Sequence, residues 1–382
     1  MNEKLIWHTI ADDDLKYADQ VCEFLQNNFQ PIGSDPIWFK DYFKWKLSAH
    51  NPAGRGYLSV GFEGDKIISC ISLVKRKIYF GSHTIIGAEF GDAYCSADFF
   101  TNINNYAPRD NNYQSKPSSH YLNRSVFGRI ADEITIRAIN DGVFYLYGLP
   151  NENAHPSWIK RLGHFNFSNH SIYSLSRQTG IRRINNSRFA SRLKKIGKLI
   201  DRLHWDYKLF KSNFWSDQKF RIENHFPDKS IINSIWDYNK NMYDFQLVRD
   251  YDYWKHRYFD HPLKKYQIFT VLDQGKIIGL CVTALQRISI DKTVLFLVEW
   301  MINTDASVSE ILFKLLEVHR RDDFDVINVN VSSKDPLFNV LQINSFDTNF
   351  KVNITFRETF EVNSENFRPK TFMLFLGNTD AV

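Results

Sequence analysis

The chain has 382 residues, 43% of them hydrophobic and 24% charged, with 32 Phe, 18 Tyr and 9 Trp. That length suits about two domains, and the composition excludes disorder, collagen, coiled coils and small disulfide-stapled scaffolds. The net charge is +5, but the ten Lys and Arg between Ile181 and Lys211 face only Asp201 and Asp206, so that segment carries +8 and the rest of the chain −3.

In chain order, a strand at Leu5–His8 leads through Asp12-Asp13-Asp14, a helix cap, into a helix ending near Asn28. A second helix is predicted over Pro36–Ser48. Strands follow at Tyr57–Glu63, Lys66–Tyr79 and His83–Tyr94, the first two joined by a tight turn at Glu63-Gly64-Asp65. Thr101–Asn123 is polar and reads as a long loop. Ile130, Ile134 and Ala138 at spacing four predict a helix over Val126–Asn140. A short buried strand at Val143–Tyr147, a helix ending at Leu162 before Gly163, and a strand at Asn166–Leu175 complete the first half.

The second half repeats this order. Asp41-Tyr42-Phe43-Lys44-Trp45-Lys46, Asn51-Pro52 and Gly64-Asp65-Lys66-Ile67-Ile68 are echoed by Asp250-Tyr251-Asp252-Tyr253-Trp254-Lys255, His261-Pro262 and Gln274-Gly275-Lys276-Ile277-Ile278. Trp45 and Trp254 are 209 positions apart, Pro52 and Pro262 are 210, and one short insertion accounts for the drift. Two copies of one fold are therefore expected. The second has strands at Phe220–Glu223, Tyr266–Leu272, Ile277–Ile288, Val294–Ile302, Asp325–Val331, Lys351–Phe360 and Thr371–Leu376. Its helices are expected at Ser230–Asn239, Asp250–Phe259, Ser307–Arg320 and Pro336–Leu341. Antiparallel strands followed by a βαβ crossover imply an α/β fold around a mixed sheet.

Cys22, Cys70, Cys95 and Cys281 stand far apart without CxxC spacing, which reads as reduced thiols in a cytoplasmic protein and gives no metal motif. The N-terminus lacks a basic-then-apolar signal, and no apolar run approaches the roughly 18 residues of a transmembrane helix. Arg188–Leu203 has Phe189, Leu193, Ile196, Leu199, Ile200 and Leu203 at helical spacing among Lys and Arg. It reads either as a linker helix docked by its apolar stripe or as a peripheral contact with an anionic inner membrane surface. No nucleic-acid reader motif accompanies it, so nucleic acid is not an expected partner.

Phe127-Gly128-Arg129-Ile130, Tyr147-Gly148-Leu149-Pro150-Asn151 and Lys160-Arg161-Leu162-Gly163 occur in series. In that order they resemble the GNAT (N-acetyltransferase) superfamily, most of all tandem-GNAT proteins of bacterial surface-polysaccharide biosynthesis, over roughly residues 5–175. The resemblance implies two tandem GNAT-like domains, each a mixed, mostly antiparallel central sheet flanked by helices. Residues 1–178 would be the acyl-CoA-binding catalytic domain, 179–217 a basic helical linker, and 218–382 a degenerate second domain. It implies acetyl-CoA or another acyl-CoA as co-substrate and an amine acceptor, such as a nucleotide-linked or lipid-linked amino sugar.

The pyrophosphate would lie at the start of the 126–140 helix, where unpaired N–H groups and the positive dipole end favour an anion. The residues implied there are Arg124, Ser125, Val126, Phe127, Gly128, Arg129 and Ile130, with Gly128 allowing close approach. Against the superfamily pattern Gln/Arg-x-x-Gly-x-Gly/Ala, Gly128 matches while Ser125 and Ile130 depart. Asn151 and Asn153 would face the pantetheine or the acceptor, or simply cap the following helix. Glu89 and Asp92, on the strand that lines the superfamily's site, are the candidate general bases. Three residues apart on a regular strand, they are expected on opposite faces, with Glu89 inward. The position where many relatives carry a tyrosine acid is Ile159 here, leaving Tyr94 or Tyr147 for that role. In the second copy, Asp305 at the corresponding helix start repels phosphate, so that lobe is expected to be silent. Two other readings remain: a Fem-type peptidoglycan aminoacyl transferase, which also has two such lobes, and a catalytically silent tandem scaffold.

Overall fold

A computed structural model describes residues 7–12, 15–28, 40–96, 126–166, 171–178, 220–289, 292–303, 307–352, 354–359 and 372–373. They fall into two compact units. Unit 1 takes residues 1–169, 261–263 and 353–369, and unit 2 takes 170–260, 264–352 and 370–382.

In unit 1 the elements are β1 (Trp7–Ala11), α1 (Ala18–Asn28), α2 (Lys40–Leu47), β2 (Tyr57–Glu63), β3 (Lys66–Phe80), β4 (His83–Cys95), α3 (Val126–Asn140), β5 (Tyr145–Gly148), α4 (His155–Arg161) and β6 (Phe165–Asn166), joined by β15 (Thr355–Glu358). The sheet order is β1-β2-β3-β4-β5-β15-β6. Only β4 and β5 run parallel; the other pairs are antiparallel. Asp12 caps the entry to α1 as expected, its two carboxylate oxygens accepting from the Lys16 and Tyr17 amides at 2.7 Å each. One face of the sheet buries Ile71, Leu73, Ala88, Phe90 and Leu146 under α3 and the Trp158 side chain of α4. The other buries Leu58, Val60, Cys70 and Val74 under Val21 and Leu25 of α1 and Phe43 and Leu47 of α2.

Unit 2 repeats the plan with β7 (Ile172–Gln178), β8 (Phe220–Asn224), α5 (Lys229–Asn239), β9 (Phe245–Leu247), α6 (Tyr251–Trp254), β10 (Gln267–Asp273), β11 (Lys276–Ser289), β12 (Lys292–Ile302), α7 (Val308–Val318), β13 (Val326–Ser332), α8 (Pro336–Ile343), β14 (Asp347–Val352) and β16 (Phe372–Met373). Its sheet order is β8-β10-β11-β12-β13-β7-β14, again with one parallel pair, β12 with β13. Each unit is thus the mixed, mostly antiparallel sheet with flanking helices that the sequence implies. No described helix is long and apolar enough to cross a membrane.

Two features depart from the linear reading. First, the strand expected over Asn166–Leu175 is split. Phe165–Asn166 closes the sheet of unit 1, whereas Ile172–Gln178 lies between β13 and β14 in unit 2. Reciprocally, the closing strand expected over Lys351–Phe360 divides, and Thr355–Glu358 enters unit 1 between β5 and β6. Each sheet takes its sixth strand from the other half of the chain, so the boundary expected at 178 falls beyond a strand that belongs to unit 2. A strand's pattern of buried side chains specifies that it pairs, not which edge it pairs with. Second, the helix expected over Asp250–Phe259 is α-helical only to Trp254 and continues as a π-turn over Lys255–Phe259. A π-turn accommodates one extra residue. It lies between Trp254 and Pro262, where the repeat spacing changes from 209 to 210.

Candidate active site

The parallel ladder between β4 and β5 is short. It runs from Gly87 opposite Tyr145 to Phe90 opposite Gly148 and stops, while β4 continues to Cys95 on β3 alone. The register with β3 slips in that stretch: Ser72 opposes Gly91 and Cys70 opposes Tyr94, so Asp92 and Ala93 together oppose Ile71. This is a β-bulge, and Asp92 sits in it at φ 46°. The Ile86 carbonyl accepts from the Phe144 amide on the β5 side at 2.7 Å, and the Ser96 amide donates to Ile68 on the β3 side at 2.8 Å. Strand alternation between those two fixed points, with one residue added at the bulge, turns the N–H of Ala93 to the edge that β5 has left. The first residue of α3 lies at the same end of the sheet, Val126 packing with Ile68 and Cys95. A Cβ on Gly61 would stand 2.3 Å from Val126 Cγ1, so the glycine lets the helix start sit directly on β2.

The bulge overturns the expectation that Glu89 and Asp92 face opposite sides. Glu89 opposes Val74, which packs toward α1 and α2, and Asp92 reaches Ser72 and Lys46 on that same side. Tyr94 packs there too, its ring 5.4 Å from Phe24 and its hydroxyl donating to Asn28 Oδ1 at 3.1 Å. The three predicted catalytic side chains therefore share one face of β4, while Phe90 and Ala93 point to the other.

Both carboxylates are buried in ion pairs. Glu89 Oε2 accepts from Arg76 Nη2 at 3.0 Å and Nε at 3.3 Å, with both residues buried. Asp92 pairs with Lys46, whose side chain is 0% exposed, and accepts from Ser72 Oγ at 2.5 Å. Lys46 also stands 4.6 Å from the Tyr42 ring centre and 4.8 Å from that of Phe43. The signal for Lys46 was in the sequence: three residues after Phe43, it occupies the apolar stripe of α2.

Of the residues implied for the pyrophosphate, Val126, Gly128 and Ile130 are buried, Phe127 is half-buried and Arg129 is exposed. Arg124 and Ser125 lie outside the described residues, as do the basic segment 188–203 and Asp305. Asn151 Oδ1 accepts from the Ala154 amide at 2.8 Å in the turn that leads into α4, and both Asn151 and Asn153 are exposed.

Linear reading missed what lies beneath the splay. Trp158 packs on Gly148, where a Cβ would stand 2.3 Å from the indole, and meets Phe90 edge-on at 5.2 Å. His164 lies 5.1 Å from that indole, with Nδ1 3.1 Å from Thr355 Oγ1 and no partner for Nε2. Burial, with the Arg357 charge adding to it, pushes its pKa down to about 3. All four cysteines are free, and burial raises their pKa values, that of Cys22 to about 12, so none is an activated thiol. Among the described residues no three His, Cys, Asp or Glu gather to hold a metal ion.

Unit 2 carries a counterpart of the bulge. Val282 opposes Glu299 and Thr283 opposes Leu297, so β12 gains Val298. Glu299, 0% exposed, accepts from Arg249 Nη1 at 3.2 Å, Tyr258 at 2.7 Å and Tyr253 at 3.1 Å. Along the chain Glu299 lies 210 positions after Glu89, yet in register it stands where unit 1 has Asp92. The loop from Thr283 to Leu297 is three residues shorter than that from Leu73 to Phe90.

No protein-family model matches the sequence, and no curated protein is similar to it in sequence. Solved structures share its fold. A GCN5-related N-acetyltransferase from Anabaena variabilis has a TM-score of 0.57 at 10% identity over 93% of this chain and 73% of that one. One from Kribbella flavida has 0.55 at 10% identity over 93% and 72%. The Saccharomyces cerevisiae N-myristoyltransferase, solved with bound myristoyl-CoA, has 0.58 at 10% identity over 95% and 85%.

Proposed function

We propose that the chain is an acyl-CoA-dependent N-acyltransferase whose chemistry resides in unit 1. The observation that carries this reading is the parting of β4 from β5 at Phe90 and Gly148, with a bulge on one lip and the start of a helix at the same end. A thioester laid along the parted edge meets the Ala93 N–H, a fixed donor for the oxygen that gains charge when the carbonyl is attacked. The helix start offers further N–H groups to a pyrophosphate. In the reaction a neutral amine attacks the thioester carbon, a C–N bond forms, the C–S bond breaks, and the amine's proton is lost while the thiolate is protonated.

Glu89 is the proposed base, held in place by Arg76, and Tyr94 the proposed acid. The proposed acceptor is an amine of a surface-glycan precursor, a choice supported by the series of sequence motifs alone. Thermal unfolding with acetyl-CoA, with CoA and without ligand tests the reading. Saturation near a hundred times Kd adds about 2.7 kcal/mol, several degrees in Tm. No shift with either ligand favours an aminoacyl-tRNA-dependent or silent protein instead. Glu89→Gln is expected to lower kcat by about 10²–10⁴ with acetyl-CoA binding retained, and rising pH should restore part of the rate as more amine becomes neutral. Full activity of that variant at neutral pH removes Glu89 from the mechanism.

A further inference from the structure

The Lys46–Asp92 pair is an odd thing to bury. Taking an ammonium and a carboxylate out of water costs several kcal/mol per ion, and an apolar pair of similar volume is often as stable or more so. The carboxylate also sits on a residue at positive φ, a conformation that side-chain-bearing residues adopt seldom and Asp more readily than most. Two further contacts converge on the same residue: Ser72 donates to Oδ2 at 2.5 Å, and the Cys70 thiol lies 3.3 Å from its backbone carbonyl. The bulge is thus held through side chain and backbone, directly beside the amide of Ala93. Unit 2 has a counterpart: Glu299, next to its bulge residue Val298, is held by Arg249 and two tyrosine hydroxyls. A buried acid anchored by a base stands at the fourth-strand bulge of both sheets, although the acid, the base and the base's position in the chain all differ. What is shared is the anchoring of the bulge.

We propose that Lys46 is a positioning residue of the acyl-transfer site: through Asp92 it pins the β4 bulge so that the Ala93 amide is aimed at the carbonyl of an acyl thioester. This rests on the acyl-CoA reading above. It assigns Asp92 to the anchor and removes it from the candidate bases. Lys46 itself touches no reacting atom.

The test separates recognition of the carbonyl from binding of the rest of the molecule. Acetyl-CoA and S-ethyl-CoA, its thioether counterpart without the carbonyl oxygen, are titrated calorimetrically into the full chain. The wild type is expected to prefer acetyl-CoA by about two- to tenfold, the worth of one hydrogen bond. In the double variant Lys46→Met/Asp92→Asn both buried charges are gone, so no lone ion remains and the chain is expected to fold. S-ethyl-CoA should bind as before while the preference for acetyl-CoA falls to about one. Ser72→Ala, a milder change that removes one neutral contact to Asp92, should lower the preference partway, and it serves if the double variant does not fold. Folded variants that bind S-ethyl-CoA normally and keep the full preference overturn the proposal, leaving the pair a structural one. A wild type that binds both equally overturns it while the acyl-CoA reading stands. A wild type that binds neither overturns both.

Discussion

His164 shows how far a single side chain departs from its intrinsic chemistry once it is placed. In the sequence it is the residue after the glycine that ends a helix, with nothing to mark it. In the fold it is 4% exposed, between Trp158 and Thr355, and its pKa is about 3. Above pH 6.5 it is neutral in both folded and unfolded chains. As the pH falls below 6.5 the unfolded chain takes up a proton that the folded one refuses until about pH 3. Stability is therefore present above the unfolded pKa and is lost as the solution is acidified across that window, by about 1.4 kcal/mol per pH unit. Urea midpoints at pH 7 and pH 4.5 should fall more for the wild type than for His164→Phe, which has no proton to take up. Equal falls would show that the imidazole is protonated in the native state.

The elements themselves were largely legible because their signals are local. Val126–Asn140 is the helix that the spacing of Ile130, Ile134 and Ala138 predicts, and β2, β3 and β4 match their expected spans to within a residue. The π-turn was legible only as a one-residue drift in the repeat spacing. Within it Tyr258, 3% exposed, donates to Glu299, and Trp254, 0% exposed, precedes it in the core. Deleting Lys255, whose side chain is 44% exposed, restores the spacing of the first copy but rotates Tyr258 by about 100°. The loss of its hydrogen bond to a buried carboxylate is expected to destabilise unit 2 by about 1.5–3 kcal/mol, read by thermal unfolding. An unchanged Tm would mean that the π-turn is incidental.

For the whole molecule, the exchange of strands decides what can fold alone. Unit 1 needs β15, in which Thr355 is fully buried and Phe356 is 2% exposed against Tyr147. A chain cut to residues 1–180 lacks that strand and leaves β5, the strand that forms one lip of the candidate site, as an open edge. Unpaired edges invite aggregation. Such a fragment is expected to be insoluble or to self-associate and to lose any binding of acetyl-CoA that the full chain has. Adding a peptide of residues 350–362 in excess should recover part of the solubility. A monomeric, stable 1–180 fragment would show that β15 is dispensable.

The sequence by itself determined the repeat, the order and kind of the elements, and the residue types around β4. The elements are written in local patterns of hydrophobic period, turn residues and caps, and the repeat in the recurrence of such patterns 209–210 positions on. Only the tertiary structure decided which strand pairs with which edge and where β4 gains its extra residue. It also decided which basic side chain meets Glu89 and which meets Asp92. Those outcomes depend on contacts between residues far apart along the chain, such as Lys46 with Asp92, Glu299 with Arg249 and Phe356 with Tyr147. One added residue in a strand reverses the facing of every side chain after it. The candidate residues of β4 could therefore be named from the sequence, whereas their facing and their partners could not.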